Sequence, residues 1–139
     1  MSEIVVGYDG SACGDAALAA ALGVAGELGD GVVVVFGYAP PGLWGGEIAE
    51  HEEAIEELGE KVMGKAKAQA AERGVEIETL LVPKRAAEAL IDTADERQAR
   101  MIVVGSFGDP PLKGMILGST PNKLLHMSDR PVLVVPATK

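Results

Sequence analysis

Cysteine is almost missing from this chain. Cys13 is the only one in 139 residues, so no internal disulfide can form, and a reducing cytoplasm suits that usage. Basic charge is also short: 12 Lys and Arg stand against 21 Asp and Glu, a net charge of −9. That balance works against a nucleic-acid partner, which a basic face would have to hold. Long apolar runs are lacking too. The longest, Ala16 to Ala25, is alanine-rich and falls far short of the ~20 residues that cross a bilayer. The opening residues, MSEIVVGYDGS, carry no basic segment and no cleavage pattern, and read as a strand rather than a signal peptide. His51-Glu52 has no second histidine four residues on, so no zinc-binding helix is indicated. No internal repeat, low-complexity tract or linker interrupts the sequence. What these absences leave is the expectation of a soluble, cytoplasmic protein of one domain, residues 1–139, with 47% apolar residues to build a core.

What the chain does have is a regular alternation of strand and helix patterns. Ile4 to Tyr8 is a short apolar run, followed by the turn Asp9-Gly10-Ser11, whose serine is placed to cap a helix. That helix runs from about Ala12 to Leu28, with Leu18, Leu22, Ala25 and Leu28 at helical spacing. Gly29-Asp30-Gly31 closes it. Val32 to Tyr38 is a β-branched run of the kind buried on both faces, and Pro40-Pro41-Gly42 breaks it. From Glu47 to Glu72, residues Ile48, Ile55, Leu58, Val62 and Ala66 mark the stripe of a long amphipathic helix, with Gly74 placed to end it. A third strand is predicted over Val75 to Val82, and a third helix through Ala87, Leu90, Ile91 and Ala94. The fourth strand is Met101 to Val104, the fourth helix about Thr120 to Met127, and the fifth strand, opened by Pro131, Val132 to Val135.

Apolar strands joined by helices predict an α/β fold, a parallel sheet with helices on both faces and right-handed crossovers. Ligands of such sheets sit beyond the carboxyl ends of the strands, where the strand order switches. Two loops with suitable chemistry leave strand ends: Asp9-Gly10-Ser11 after the first, and a glycine-rich segment after the fourth. They line one crevice if those two strands are neighbours.

In MIVVGSFGDPPLKGMILGST the fourth strand feeds into Gly105, Gly108 follows three residues later, and Gly118-Ser119-Thr120 stands where the fourth helix begins. Glycines let backbone N–H groups approach phosphate oxygens, and a helix N-terminus adds donors and a favourable dipole. On the glycines alone, a tight turn without a ligand is the simpler reading. The full spacing and the two hydroxyls turn it toward an anion site. Asp9 is either a turn carboxylate or a ligand contact, and its place at a strand's carboxyl end favours the ligand. Ser119 and Thr120 can cap the helix and face a phosphate at once, and Pro121 in the first turn sacrifices no intrahelical bond.

Other apparent motifs fall away. Gly59-x4-Gly64-Lys65 resembles a P-loop, but Ala66 replaces the required hydroxyl and the run lies inside a helix. The acidic run between Glu47 and Glu60 reads as a solvated helix face. His126 sits near a helix end, facing solvent or complementing the dipole. Cys13 reads as an inert thiol. Trp44 packs over the crevice, meets a partner surface or anchors its loop in the core.

The spacing Gly105-x2-Gly108-x9-Gly118-Ser119 after Ile102-Val103-Val104 resembles the nucleotide-binding signature of the universal stress protein family. Val5-Val6-Gly7-Tyr8-Asp9-Gly10-Ser11 and Pro131-Val132-Leu133-Val134-Val135 are similar to that family's opening and closing strands, so the resemblance covers nearly the whole chain. It implies a three-layer, Rossmann-like domain of the adenine nucleotide alpha hydrolase type, with a five-stranded parallel sheet. It further implies ATP, with AMP or ADP as the open alternatives, held by Asp9, Gly105, Gly108, Gly118, Ser119 and Thr120. Mg2+ would be bound through the phosphates. A homodimer through Val132 to Val135 and a role in cytoplasmic stress response are also implied. The chain departs from the family at Asp109-Pro110-Pro111, which sets a carboxylate beside the phosphates and removes two amide donors, with Lys113 nearby to compensate. No convincing general base or arginine finger accompanies the site, so any hydrolysis should be slow or partner-dependent. The rival reading is a dimeric interaction module of the same fold with a vestigial nucleotide site.

Overall fold

The structure, a computed structural model, describes residues 2–38, 48–106 and 119–137, with backbone alone at 48–53 and at Ser119. In chain order the elements are β1 (Glu3–Gly7), α1 (Ala12–Leu28), β2 (Gly31–Gly37), α2 (Ile48–Glu72), β3 (Glu78–Val82), α3 (Ala86–Arg97), β4 (Met101–Gly105), α4 (Ser119–Met127) and β5 (Val132–Val135). All five strands are parallel, in the order β3-β2-β1-β4-β5. The α/β reading therefore holds, and β1 and β4 are neighbours, as a shared crevice requires.

The sheet forms where β-branched residues stack in register. Val5 lies opposite Val33 on one side and Ile102 on the other, and Val104 lies opposite Val134. Alternation along β1 then fills both layers. Ile4 and Val6 pack with Leu18 and Leu22 of α1 and Val62 and Ala66 of α2. Val5 packs with Leu90 of α3 and Leu124 of α4 on the opposite face. Ile4, Leu18, Leu90, Ile102 and Leu124 are fully buried, each contributing about 1.5–3 kcal/mol by leaving water. Helix α1 opens on Ser11, whose side chain accepts a hydrogen bond from the Gly14 N–H, and closes on Gly29 in the left-handed region, φ 71°.

Three expectations are corrected. The third strand begins at Glu78, not Val75: the Val75 N–H donates to Ala70 O in the exit from α2, so that residue is spent terminating the helix. Leu58 does not belong to the buried stripe of α2 and is 53% exposed, because the face that meets the sheet runs through Gly59, Val62, Met63, Ala66 and Ala70. Leu28, in the last turn of α1, is likewise exposed.

Candidate functional site

Three strands end on glycine with an apolar residue before it: Val6-Gly7, Phe36-Gly37 and Val104-Gly105. Each glycine lets a helix come close. A Cβ on Gly7 would stand 2.9 Å from Leu90 Cδ1 of α3. One on Gly37 would stand 2.9 Å from the Ala86 Cα and 3.0 Å from Lys84 O. One on Gly105 would stand 2.7 Å from both the Cβ and the carbonyl oxygen of Cys13 in α1. None of the three needs a left-handed backbone, since among the described residues the positive-φ glycines are Gly10, Gly29 and Gly74. Close packing alone demands them.

Above these glycines, at the switch between β1 and β4, lies a crevice of about 170 Å3. Its walls combine apolar groups, among them Val35, Leu90 and Val104, with Asp9 on one side and Thr120 on the other. Crevices at such switch points are where doubly wound sheets bind ligands.

Asp9 is exposed and serves the turn directly. Its Oδ1 accepts from the Ser11 N–H at 2.9 Å and from the Ser11 hydroxyl at 2.5 Å. Ser11 Oγ accepts in turn from Gly14 N–H at 3.1 Å. Those bonds engage only Oδ1, so turn carboxylate and crevice wall are compatible roles. Gly14 makes the arrangement possible, because a Cβ there would stand 2.8 Å from Asp9 Oδ1. Beside Asp9, Tyr8 is 3% exposed and its hydroxyl donates to Asp15 Oδ1 at 2.6 Å. Burial, followed by that bond and the Asp15 charge, pushes the Tyr8 phenol well above its ordinary range.

The sequence-derived candidates thus divide. Asp9, Gly105 and Thr120 all line the crevice, brought together from β1, β4 and α4. Ser119 begins α4. Gly108 and Gly118 lie outside the described residues, as do Trp44, Lys113 and Asp109-Pro110-Pro111. One amide next to the glycine segment is already committed: the Ser106 N–H donates to Val135 O of β5 at 2.9 Å. It offers nothing to a ligand.

Sequence reasoning passed over Gly7, Gly14 and Gly37, and also Ala86 at the start of α3. The repeated ending of an apolar strand on glycine was a visible signal for Gly7 and Gly37. For Gly14, a glycine in the first turns of a helix, where it is intrinsically unfavourable, was the clue. Among the described residues, no group of three His, Cys, Asp or Glu could hold a metal ion. No helix there is long and apolar enough to cross a membrane.

Sheet order and crevice together define a doubly wound α/β protein with a ligand-type cleft at its switch point. The model of the universal stress protein family matches residues 1–136, and the chain belongs to that family. Universal stress protein YxiE of Bacillus subtilis is 39% identical over 88 residues, which make up 63% of this chain and 60% of that one. The match thus spans less than two thirds of that relative's own length. A universal stress protein of Thermus aquaticus is 35% identical over 136 residues, covering 95% of this chain and 96% of the relative. Among solved structures, a universal stress protein in complex with cAMP superposes with a TM-score of 0.70 at 28% identity, over 99% of this chain and 98% of that one.

Proposed function

We propose that the protein binds an adenine nucleotide, with ATP as the principal ligand, at the β1–β4 switch point. It would act as a cytoplasmic stress-response regulator with little or slow hydrolysis. The observation that carries this reading is the crevice itself, floored by glycine strand ends and bordered by the Asp9 carboxylate. A flat base needs an apolar slot, which Gly7 and Gly37 leave open and Val35 and Leu90 line. Ribose hydroxyls need hydrogen-bond acceptors, and the Asp9 carboxyl supplies one within the same lining. The phosphates would extend toward Gly105, Gly108, Gly118, Ser119 and Thr120, with the first turn of α4 as the dipole end. Since Ser106 is paired with β5, the amide donors would come from beyond it. Mg2+ would compensate phosphate charge that this acidic protein cannot neutralise alone. The relative solved with cAMP supports a nucleotide in this fold.

The same reading takes residues 1–139 as one domain and pairs two copies through β5. That strand is at the sheet edge and Leu133 on it is 38% exposed, which invites strand addition. Nucleotide released from the purified protein and identified by mass is the direct test. Titration calorimetry with ATP, ADP, AMP and cAMP, with and without Mg2+, then ranks the ligands. Asp9→Ala should weaken ATP binding by about 10-fold or more, the loss expected for charge-assisted hydrogen bonds. Gly118→Val with Ser119→Ala should abolish it. If the unaltered protein binds no nucleotide at millimolar concentration, the interaction-module reading replaces this one.

A further inference from the structure

We propose that Lys65 is a positioning residue: reaching across from α2, it latches the loop after β1 and so sets the Asp9 carboxylate against the crevice. The inference rests on the nucleotide reading above. Gly10, the centre of that loop, has φ 82°, a conformation glycine adopts freely and in which it has no side chain to anchor the turn. Anchoring comes from α2. Lys65 Nζ donates to Gly10 O at 2.8 Å and to Asp15 Oδ2 at 3.2 Å. The other Asp15 oxygen holds the Tyr8 hydroxyl, and Gln69 Nε2 donates to Asp15 O at 3.0 Å. Val62 completes the contact, 3.5 Å from where a Gly10 Cβ would stand. Val62, Lys65 and Gln69 are spaced three and four apart, so one face of α2 makes every contact.

Tyr8 and Asp9 both line the crevice. One ammonium therefore holds the residue next to Asp9 directly and reaches Tyr8 through Asp15, although Lys65 itself is not part of the lining. Its charge also offsets that of Asp15, the acceptor of the Tyr8 hydroxyl. The Lys65 and Asp15 side chains are 54% and 37% exposed, and ion pairs so exposed add little to global stability. The consequence of losing the latch should fall on the loop and on binding, not on the fold.

The test uses the full chain with Lys65→Met, Lys65→Arg, Asp9→Ala and the Lys65→Met/Asp9→Ala pair. Lys65→Met should weaken Mg-ATP binding by about 5-fold while moving Tm by no more than about 2 °C. Lys65→Arg, which keeps charge and donors, should restore affinity to within about 2-fold. In the Asp9→Ala background Lys65→Met should add less than about 2-fold, because its effect passes through Asp9. Without ligand, Lys65→Met should speed hydrogen exchange at the Ser11 N–H, bonded to Asp9, by about 5-fold or more. The Ser106 N–H, bonded to β5, should be unaffected. Wild-type affinity in Lys65→Met, or an undiminished loss in the Asp9→Ala background, overturns the proposal. If the unaltered protein binds no nucleotide, the function proposed above fails by itself. Ser11 exchange then decides the latch alone, and an unchanged rate refutes it.

Discussion

The two ends of the sheet are covered in opposite ways. At the amino end, arginines tie the elements together. Arg97 grips both oxygens of Glu78 and reaches Glu3 at 3.4 Å. Arg100 pairs with Asp30 at 2.6 Å, while its own N–H donates to Glu3 O. Arg130 donates to the carbonyls of Ala94 and Ala99 and to Asp95. At the carboxyl end three strands finish on bare glycines around a crevice, and among the described residues Lys65 and Lys84 are cations that bond loop and helix there. A planar guanidinium fixes several acceptors at once, whereas an ammonium on a flexible stem holds and releases more readily. The strands β2, β1, β4 and β5 between are a valine-rich ladder from end to end. Rigidity and openness are therefore distributed by what caps the sheet, not by the sheet.

Glycine substitution gives the largest test of that contrast. Gly105→Ala sets a methyl 2.7 Å from the Cys13 carbonyl, where backbone must move, and should cost about 1–3 kcal/mol by overpacking. Gly31→Ala, at the amino end of β2, meets only Glu3 side-chain atoms at 3.8 Å, and should stay within about 0.5 kcal/mol. Urea denaturation of both variants measures the difference. Equal losses would mean that Gly105 is not held to glycine by its approach to α1.

A smaller pair of effects separates stability from binding. Ser11→Ala removes the cap of α1 and the hydroxyl donor to Asp9, costing about 1 kcal/mol. Arg130→Met removes two bonds to carbonyls at the other end, where Ala94 O keeps the Ala99 N–H but Ala99 O loses its donor, for a similar cost of about 1 kcal/mol. Only Ser11→Ala should also weaken nucleotide binding, by a measurable factor in calorimetry. Comparable affinity losses in both would dissolve the division of labour.

Much of this contrast could be read from residues close in sequence. The Asp9-Gly10-Ser11 turn, the Ser11 cap and the Gly29 stop depend on neighbours within a few positions, and each is where the sequence put it. The phase of α2 was misread at Leu58 because apolar character was counted without knowing which residues meet the sheet; small Gly59 packs there instead, under Leu81. Long-range partners were not legible at all. Lys65, dismissed with a false P-loop, finds its acceptor 55 residues away. The Ser106 N–H is taken by a carbonyl on β5, which only strand order reveals. The arginine pairings were invisible for the same reason, since Arg97 finds Glu3 and Arg100 finds Asp30 only once the strands are laid side by side.

The smallest effects concern pH, and they should strike the two ends from opposite directions. Hydrogen bonds from Arg100 and Arg97, each helped by its charge, hold the Asp30 and Glu78 carboxyls below their ordinary range. A carboxylate lowered in the folded state contributes stability that is complete above its unfolded value, about 4, and is lost as pH falls through the folded value. Acid should therefore loosen the amino end. Tyr8 shifts the other way, raised first by burial and then by Asp15, and Lys84, just past β3, is raised by its bond to Asp92. Their contributions are complete below the unfolded values, about 10, and are lost as pH rises through the folded ones. Alkali should loosen the carboxyl end. Stability measured by urea between pH 3 and 11 should show both limbs, with Glu78→Gln flattening only the acid one and Tyr8→Phe only the alkaline one. If Tyr8→Phe left the alkaline limb unchanged, burial of that hydroxyl would not be the source of the carboxyl end's response to alkali.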